Sequence, residues 1–233
     1  RNGKIVKIGP NLPIPVDDVK VFDASGKHVY PGLILSNTNT GIKEIGSAVR
    51  GSNDFREIGE MNPNIKSIVA YNADSKIINT LRSNGILLAN VVRQGQLLAG
   101  SSSVVQFDAW TWEDALYKEN VAMNFYMPSL LNRPRNRFGG GGGGAQQEVD
   151  VVKLALERIE AVKVFLREAK AYQQQNPKIP TNLKFESVKG LFDKSQKLFV
   201  HCNLVKEMLV AIDFVNEFGF DVTIVGGSES FLI

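Results

Sequence analysis

The sequence predicts an α/β fold, most of a (β/α)8 TIM-like barrel behind a short β-rich prologue. Three observations carry this. Asp74 to Gly85 reads as a capped helix, and the apolar strand Ile86 to Val92 follows it at once. Lys197 to Asn203, Leu204 to Phe218 and Asp221 to Val225 repeat strand, helix, strand. The turn Tyr30-Pro31-Gly32 feeds a short apolar strand, Leu33-Ile34-Leu35, ending in Ser36-Asn37-Thr38-Asn39. In α/β proteins the chemistry gathers just past the carboxyl ends of such strands.

The prologue is all β. Asn2-Gly3 is a hairpin turn signal, Lys4 to Ile8 and Lys20 to Asp23 read as strands, and Ala24 to Lys27 as a turn. Thr40 to Asn64 is a long polar loop, a length that marks either a functional segment or one closing an end of the fold. In the first helix Asp74 is the expected N-cap. Ile77, Ile78 and Leu81 form its apolar face, and Asn84-Gly85 stops it. Gln94 to Ser103, rich in Gly and Ser, reads as a loop. Val104 to Asp108 and Val121 to Tyr126 read as strands, with a short helix over Trp112 to Lys118. Glu148 to Gln175 is the longest helix, with Val152, Leu156, Ile159, Val162, Leu166 and Ala169 on one stripe and Asn176-Pro177 as its stop. Leu183 to Asp193 continues helical. Leu204 to Phe218 is expected to turn Leu204, Met208, Ile212 and Val215 inward, with Gly219 as its stop. This gives about six parallel-strand candidates, against the eight strands of a full barrel.

Bulk properties exclude several function classes. The 233 residues are enough to bury a sizeable core, and 43% hydrophobic with 22% charged content is that of a globular chain. A net charge of +3, with basic residues clustered only at Arg133, Arg135 and Arg137, gives no case for nucleic acid. These arginines adjoin the glycine tract Gly139 to Gly144 and read as a solvated loop. The single Cys202 allows no internal disulfide. No apolar run has the ~20 residues of a membrane span. No signal peptide is visible, and both ends look cut. A soluble chain of unassigned compartment is therefore expected.

His201 is the main candidate for chemistry. It ends the strand Lys197 to Asn203, where it serves either as a metal ligand or general base, or as a hydrogen-bonded strand-end histidine. Cys202 falls on the opposite face and reads as a buried apolar residue. His28, before the turn, reads as structural. Asn37 and Asn39 stand at the first strand end, as groups for polar parts of a substrate or as internal hydrogen-bonding residues. Asp54, Glu57 and Glu60 read as solvated acids. Trp110 and Trp112 line a pocket or fill the rim; sequence does not choose.

Gly3 to Gly9, then Asp23 to Ile34 with its Tyr30-Pro31-Gly32-Leu33-Ile34, resembles the opening of the metal-dependent amidohydrolase superfamily, of the imidazolonepropionase-like and dihydroorotase-like kind. Asn84-Gly85-Ile86-Leu87-Leu88 and Lys197 to Val225 agree with it. The resemblance implies a β-sandwich contribution from residues 1–28 (a composite domain) and a TIM barrel over 29–233, its closing strands lying beyond Ile233 with a catalytic Asp among them. It implies metal-assisted water attack on carbon–nitrogen bonds of amides or cyclic amides, a divalent metal with zinc expected, and His201 as a ligand.

The same comparison exposes departures. The superfamily's first-strand His-x-His falls on Asn37-Thr38-Asn39, its preceding Asp on Leu35, and its sixth-strand His near Val225-Gly226-Gly227. Two readings follow. The chain is a carbon–nitrogen hydrolase acting on a small molecule, or a metal-free, catalytically inactive barrel that binds a ligand or partner. A homo-oligomer, or association with missing chain segments, is expected of either, and no nucleic-acid or membrane partner.

Overall fold

The computed structural model describes residues 4–13, 19–44, 54–131, 150–175 and 180–233. The chain divides into two units, Arg1–Pro31 and Gly32–Ile233. Arg133, Arg135, Arg137, the glycine tract, Asn2-Gly3 and Asn176-Pro177 lie outside the described residues.

In the first unit the turn expected at Ala24 to Lys27 is present. Lys27 N–H donates to Ala24 O at 2.9 Å, Ser25 donates to Asp23 Oδ1, and Gly26 takes φ 71°. Lys4 to Ile8 and Lys20 to Asp23 form no strand. A strand exists only through its ladder partner, and none faces them among the described residues.

The second unit is built on one six-stranded sheet in sequence order, β1 (Leu33–Thr38), β2 (Ile86–Val91), β3 (Leu97–Gln106), β4 (Leu116–Tyr126), β5 (Lys197–Cys202) and β6 (Val222–Gly226). Each strand is laid beside the last, as in a singly wound half-barrel. The expectation of six parallel strands needs correction: β3 is antiparallel to both neighbours, while β1/β2, β4/β5 and β5/β6 are parallel. Connection length explains this. A parallel neighbour needs a crossover of about a dozen residues or more. The β1–β2 link carries α1 (Lys76–Ser83), β4–β5 carries α3 (Val151–Gln173), α4 (Leu183–Ser187) and α5 (Lys189–Phe192), and β5–β6 carries α6 (Val205–Phe218). Val92 to Gln96 is too short to cross over, so β3 must turn back. The β3–β4 link holds only the single-turn α2 (Trp112–Ala115), and Leu116 to Lys118 belongs to β4 rather than to a helix.

The Gly/Ser-rich Gln94 to Ser103 is thus largely strand. It is paired on both sides: β4 lies on one, and on the other residues 56–66 continue the line of β2 through bridges Arg56 to Gln94, Met61 to Leu98 and Lys66 to Ser101. Small residues allow that approach. A Cβ on Gly100, at φ 102°, would stand 2.3 Å from Ile65 O. The described end of the Thr40 to Asn64 loop therefore belongs to the sheet layer.

Helices cover one face of the sheet. Met123, Phe125, Leu198, Val200 and Cys202 pack with Ile159, Val162 and Leu166 of α3 and with Met208, Ala211 and Phe214 of α6. Ala89, Val91, Val105 and Phe107 pack with Ile68, Tyr71, Ile78 and Ala115. In α3, Asp150 accepts from Val152 and Lys153 N–H as N-cap, and the expected stripe holds from Ile159 to Ala169 while Leu156 is half exposed. In α6 the stripe is rotated from expectation: Glu207, Met208, Ala211 and Phe214 are buried, whereas Ile212 and Val215 are 46% and 41% exposed. Apolar residues occur on both sides of this helix, so periodicity alone admitted two stripes. Gly219 ends it at φ 71°, as expected. At α1 the N-cap position is Ser75, not Asp74; its hydroxyl donates to Glu44 Oε2 at 2.8 Å and caps no helix N–H. No described helix is long and apolar enough to cross a membrane.

Candidate functional site

Strand alternation builds the site. On β4 and β5 the apolar Met123, Phe125, Leu198, Val200 and Cys202 face the helices, so Asn124, Tyr126, Phe199 and His201 share the other face. The parallel register sets Asn124 beside Phe199 and Tyr126 beside His201 at the carboxyl ends.

There His201 is held from two directions. Its ring lies flat on Tyr126, centroids 4.0 Å and planes 9° apart. Its Nε2 is 3.0 Å from Asn124 Oδ1. Asn124 is fully buried, and its Nδ2 donates to Gly100 O at 3.1 Å. That carbonyl fixes the amide orientation, because the flipped amide would set oxygen against oxygen. Oδ1 must then accept from His201, so the imidazole is the neutral Nε2–H tautomer with its lone pair on Nδ1. Nδ1 has no hydrogen-bond partner among the described residues. Burial pushes the imidazole pKa down to about 4, which keeps the ring neutral.

Tyr126 extends this arrangement. Its hydroxyl donates to Arg93 O at 2.8 Å, and burial raises its pKa to about 12. Arg93, just past β2, is 2% exposed, and its Nη2 pairs with Glu57 at 2.7 Å and Asp54 at 3.5 Å. Glu60 pairs with Arg158 at 2.6 Å. The three acids expected to be solvated are ion-paired, although each stays partly exposed. They tie residues 54–60 to Arg93 and Arg158.

Asn37 and Asn39 reach the same face by a bulge. Leu35 pairs with Ala89 but Thr38 with Val91, an advance of three residues on β1 against two on β2. Leu35 and Thr38 therefore take the helix-side face of Ala89 and Val91, and Asn37 and Asn39 turn to the face of Asn90. Asn90 Nδ2 donates to Ser36 O at 3.1 Å. The side chains of Asn37 and Asn39 make no hydrogen bond among the described residues.

Other candidates fall elsewhere. Cys202 is buried on the helix side, as expected, and its thiol is pushed up to about 11 by burial and by Glu207. His28 lies in the first unit, 6.2 Å from the Tyr30 ring. Trp110 is almost fully exposed and Trp112 partly so. A cleft lined by Lys66, Asn120, Lys189, Asp193 and Gln196 opens at the amino end of β5, away from His201. Asn90, Arg93, Asn124 and Tyr126 were not singled out from sequence. The available signal was a lone polar residue inside each apolar run, Leu87 to Val92 and Val121 to Phe125.

The inward groups do not fit a zinc ion. His201 offers one nitrogen, since Nε2 is committed to Asn124. Asn37 and Asn39 offer only neutral amide oxygens, poor partners for zinc. No cluster of three or more His, Cys, Asp or Glu among the described residues can hold a metal.

No protein-family model and no curated protein matches the chain. A solved structure, an amidohydrolase from Thermotoga maritima MSB8, superposes with TM-score 0.76 at 20% identity, over 100% of this chain and 60% of that one. The chain thus spans 60% of that protein's length. At this identity the likeness carries the fold alone: the chain shares the mixed α/β fold of the matched part of that structure.

Proposed function

We propose that this chain is the larger part of a TIM-like barrel of the amidohydrolase type, and that its mouth holds a small amide or cyclic amide. The supporting observation is the neutral His201 ring, whose Nδ1 has no partner among the described residues, on a face carrying the neutral amides Asn37, Asn39 and Asn90. Such groups recognise a neutral ligand with N–H donors and carbonyl acceptors. Binding is the part of a carbon–nitrogen hydrolase's activity that these residues support.

The test is calorimetric titration of the protein with hydantoin and dihydrouracil in metal-free buffer. Saturable binding lost in His201→Ala, with the fold retained, is expected; no binding to the wild type would refute the proposal.

A second reading, metal-assisted hydrolysis of the same bonds, is favoured by the fold likeness to an amidohydrolase. It requires donors beyond those facing His201 here. Hydrolysis of these compounds on zinc addition, abolished in His201→Ala, would favour it.

The sheet edges support association. Leu33 and Ile34 on β1, and Ile212 and Val215 beside β6, are exposed apolar residues along the open sides of the sheet. Further barrel strands or a second copy of the chain would cover them.

A further inference from the structure

We propose that Asn124 is the positioning residue of this site, selecting the tautomer of His201 and thereby the kind of atom a ligand must present to it. The inference rests on the mouth being an amide site and adds which atom of the ligand meets His201.

The imidazole has two nitrogens, and in the neutral ring one donates while the other accepts. Free in solution, either tautomer would form. Here the choice is imposed three links away from solvent. Gly100 O accepts from Asn124 Nδ2 at 3.1 Å, and Ala122 O lies 3.5 Å from the same nitrogen. Both carbonyls belong to the β3–β4 pair and cannot rotate. They hold the nitrogen of the amide on their side and its oxygen toward β5. The oxygen accepts from His201 Nε2 at 3.0 Å, and Tyr126, stacked 4.0 Å away, blocks ring rotation. The other nitrogen, Nδ1, is then an acceptor and never a donor. The site selects ligands that present an N–H, as an amide or cyclic ureide does. It rejects analogues carrying a bare acceptor or an N-methyl group there, because two lone pairs or a methyl would then meet. A general carbonyl-binding site would need the opposite tautomer.

The arrangement also explains why a lone, fully buried asparagine sits in the apolar strand β4. All three of its hydrogen-bond contacts run to β3, β4 or β5 groups, so its amide has no solvent-directed use.

The test is 15N NMR of the imidazole in the whole protein, with hydantoin and its N-methylated analogues as probes. Wild type is expected to show the Nε2–H tautomer alone, with hydantoin shifting the Nδ1 resonance and the fully N-methylated analogue binding at least tenfold more weakly. Asn124→Leu should give a tautomer mixture and a matching loss of hydantoin affinity; Asn124→Ala serves where the leucine variant does not fold. An Nδ1–H tautomer in wild type, or an unchanged tautomer in Asn124→Leu or Asn124→Ala, would overturn the role of Asn124. The expected tautomer shifts with no hydantoin response would support that role and overturn the amide reading.

Discussion

The Tyr126 ring lies flat against the His201 imidazole, with centroids 4.0 Å apart and planes within 9°. Strand register makes this contact. Tyr126 and His201 are paired on neighbouring parallel strands, so their side chains leave the sheet side by side. Tyr126 also joins the imidazole to Arg93, and through it to Glu57 and Asp54.

Removing only the hydroxyl should therefore separate two roles. Tyr126→Phe keeps the stack but leaves Arg93 O without its partner, a loss of about 1–3 kcal/mol. Tyr126→Ala removes the ring as well and should cost about 3–5 kcal/mol. Urea denaturation of the two variants checks the order.

Stability should depend on pH through His201. Its folded pKa, about 4, is below the ordinary 6.5, so the unfolded chain binds more protons between these values. The contribution is fully present above pH 6.5 and is lost as pH falls toward 4; its ceiling is about 3 kcal/mol. Denaturation midpoints measured from pH 4 to 8 should show this slope in wild type and a shallower one in His201→Gln. Tyr126, raised to about 12, acts at the other end, its contribution falling away as pH rises from 10 to 12.

Cys202 should resist alkylation. Its thiol is buried and pushed up to about 11, so the thiolate is scarce at pH 8. Iodoacetamide labelling is expected to follow the unfolding rate; rapid labelling of the native protein would contradict the buried placement.

Glu207 should matter more than a helix carboxylate usually does. It is 6% exposed, with Oε2 accepting from Asn203 and Leu204 N–H and Oε1 from Leu130 N–H. It ties the loop after β5 to the segment after β4. Glu207→Ala leaves the buried Leu130 N–H and the part-buried Asn203 and Leu204 N–H groups without this acceptor and should destabilise by about 2–3 kcal/mol, measured by urea denaturation.

Much of this fold was legible in the sequence. Apolar runs next to capped helices gave β1, β2, β5 and β6 with α1, α3 and α6 near their observed positions. The strand period put Cys202 opposite His201. The reversal of β3 was not legible, because its Gly and Ser residues signal a loop until the 56–66 segment is seen lying against them. The site was half legible. His201, Asn37 and Asn39 stood out at strand ends, but Asn124 and Tyr126 acquire their roles from the register between β4 and β5. A single sequence carries no direct record of that register. The ion pairs of Arg93 were hidden for the same reason, since Asp54 and Glu57 lie 39 and 36 residues from it along the chain.

We propose that the inward donors of this sheet suit a neutral ligand and not a zinc ion. Metal analysis of the purified protein, expressed in zinc-replete medium, tests this most directly. Well under one metal ion per chain is expected, unchanged in His201→Ala. One tightly held zinc per chain, lost in His201→Ala, would contradict it.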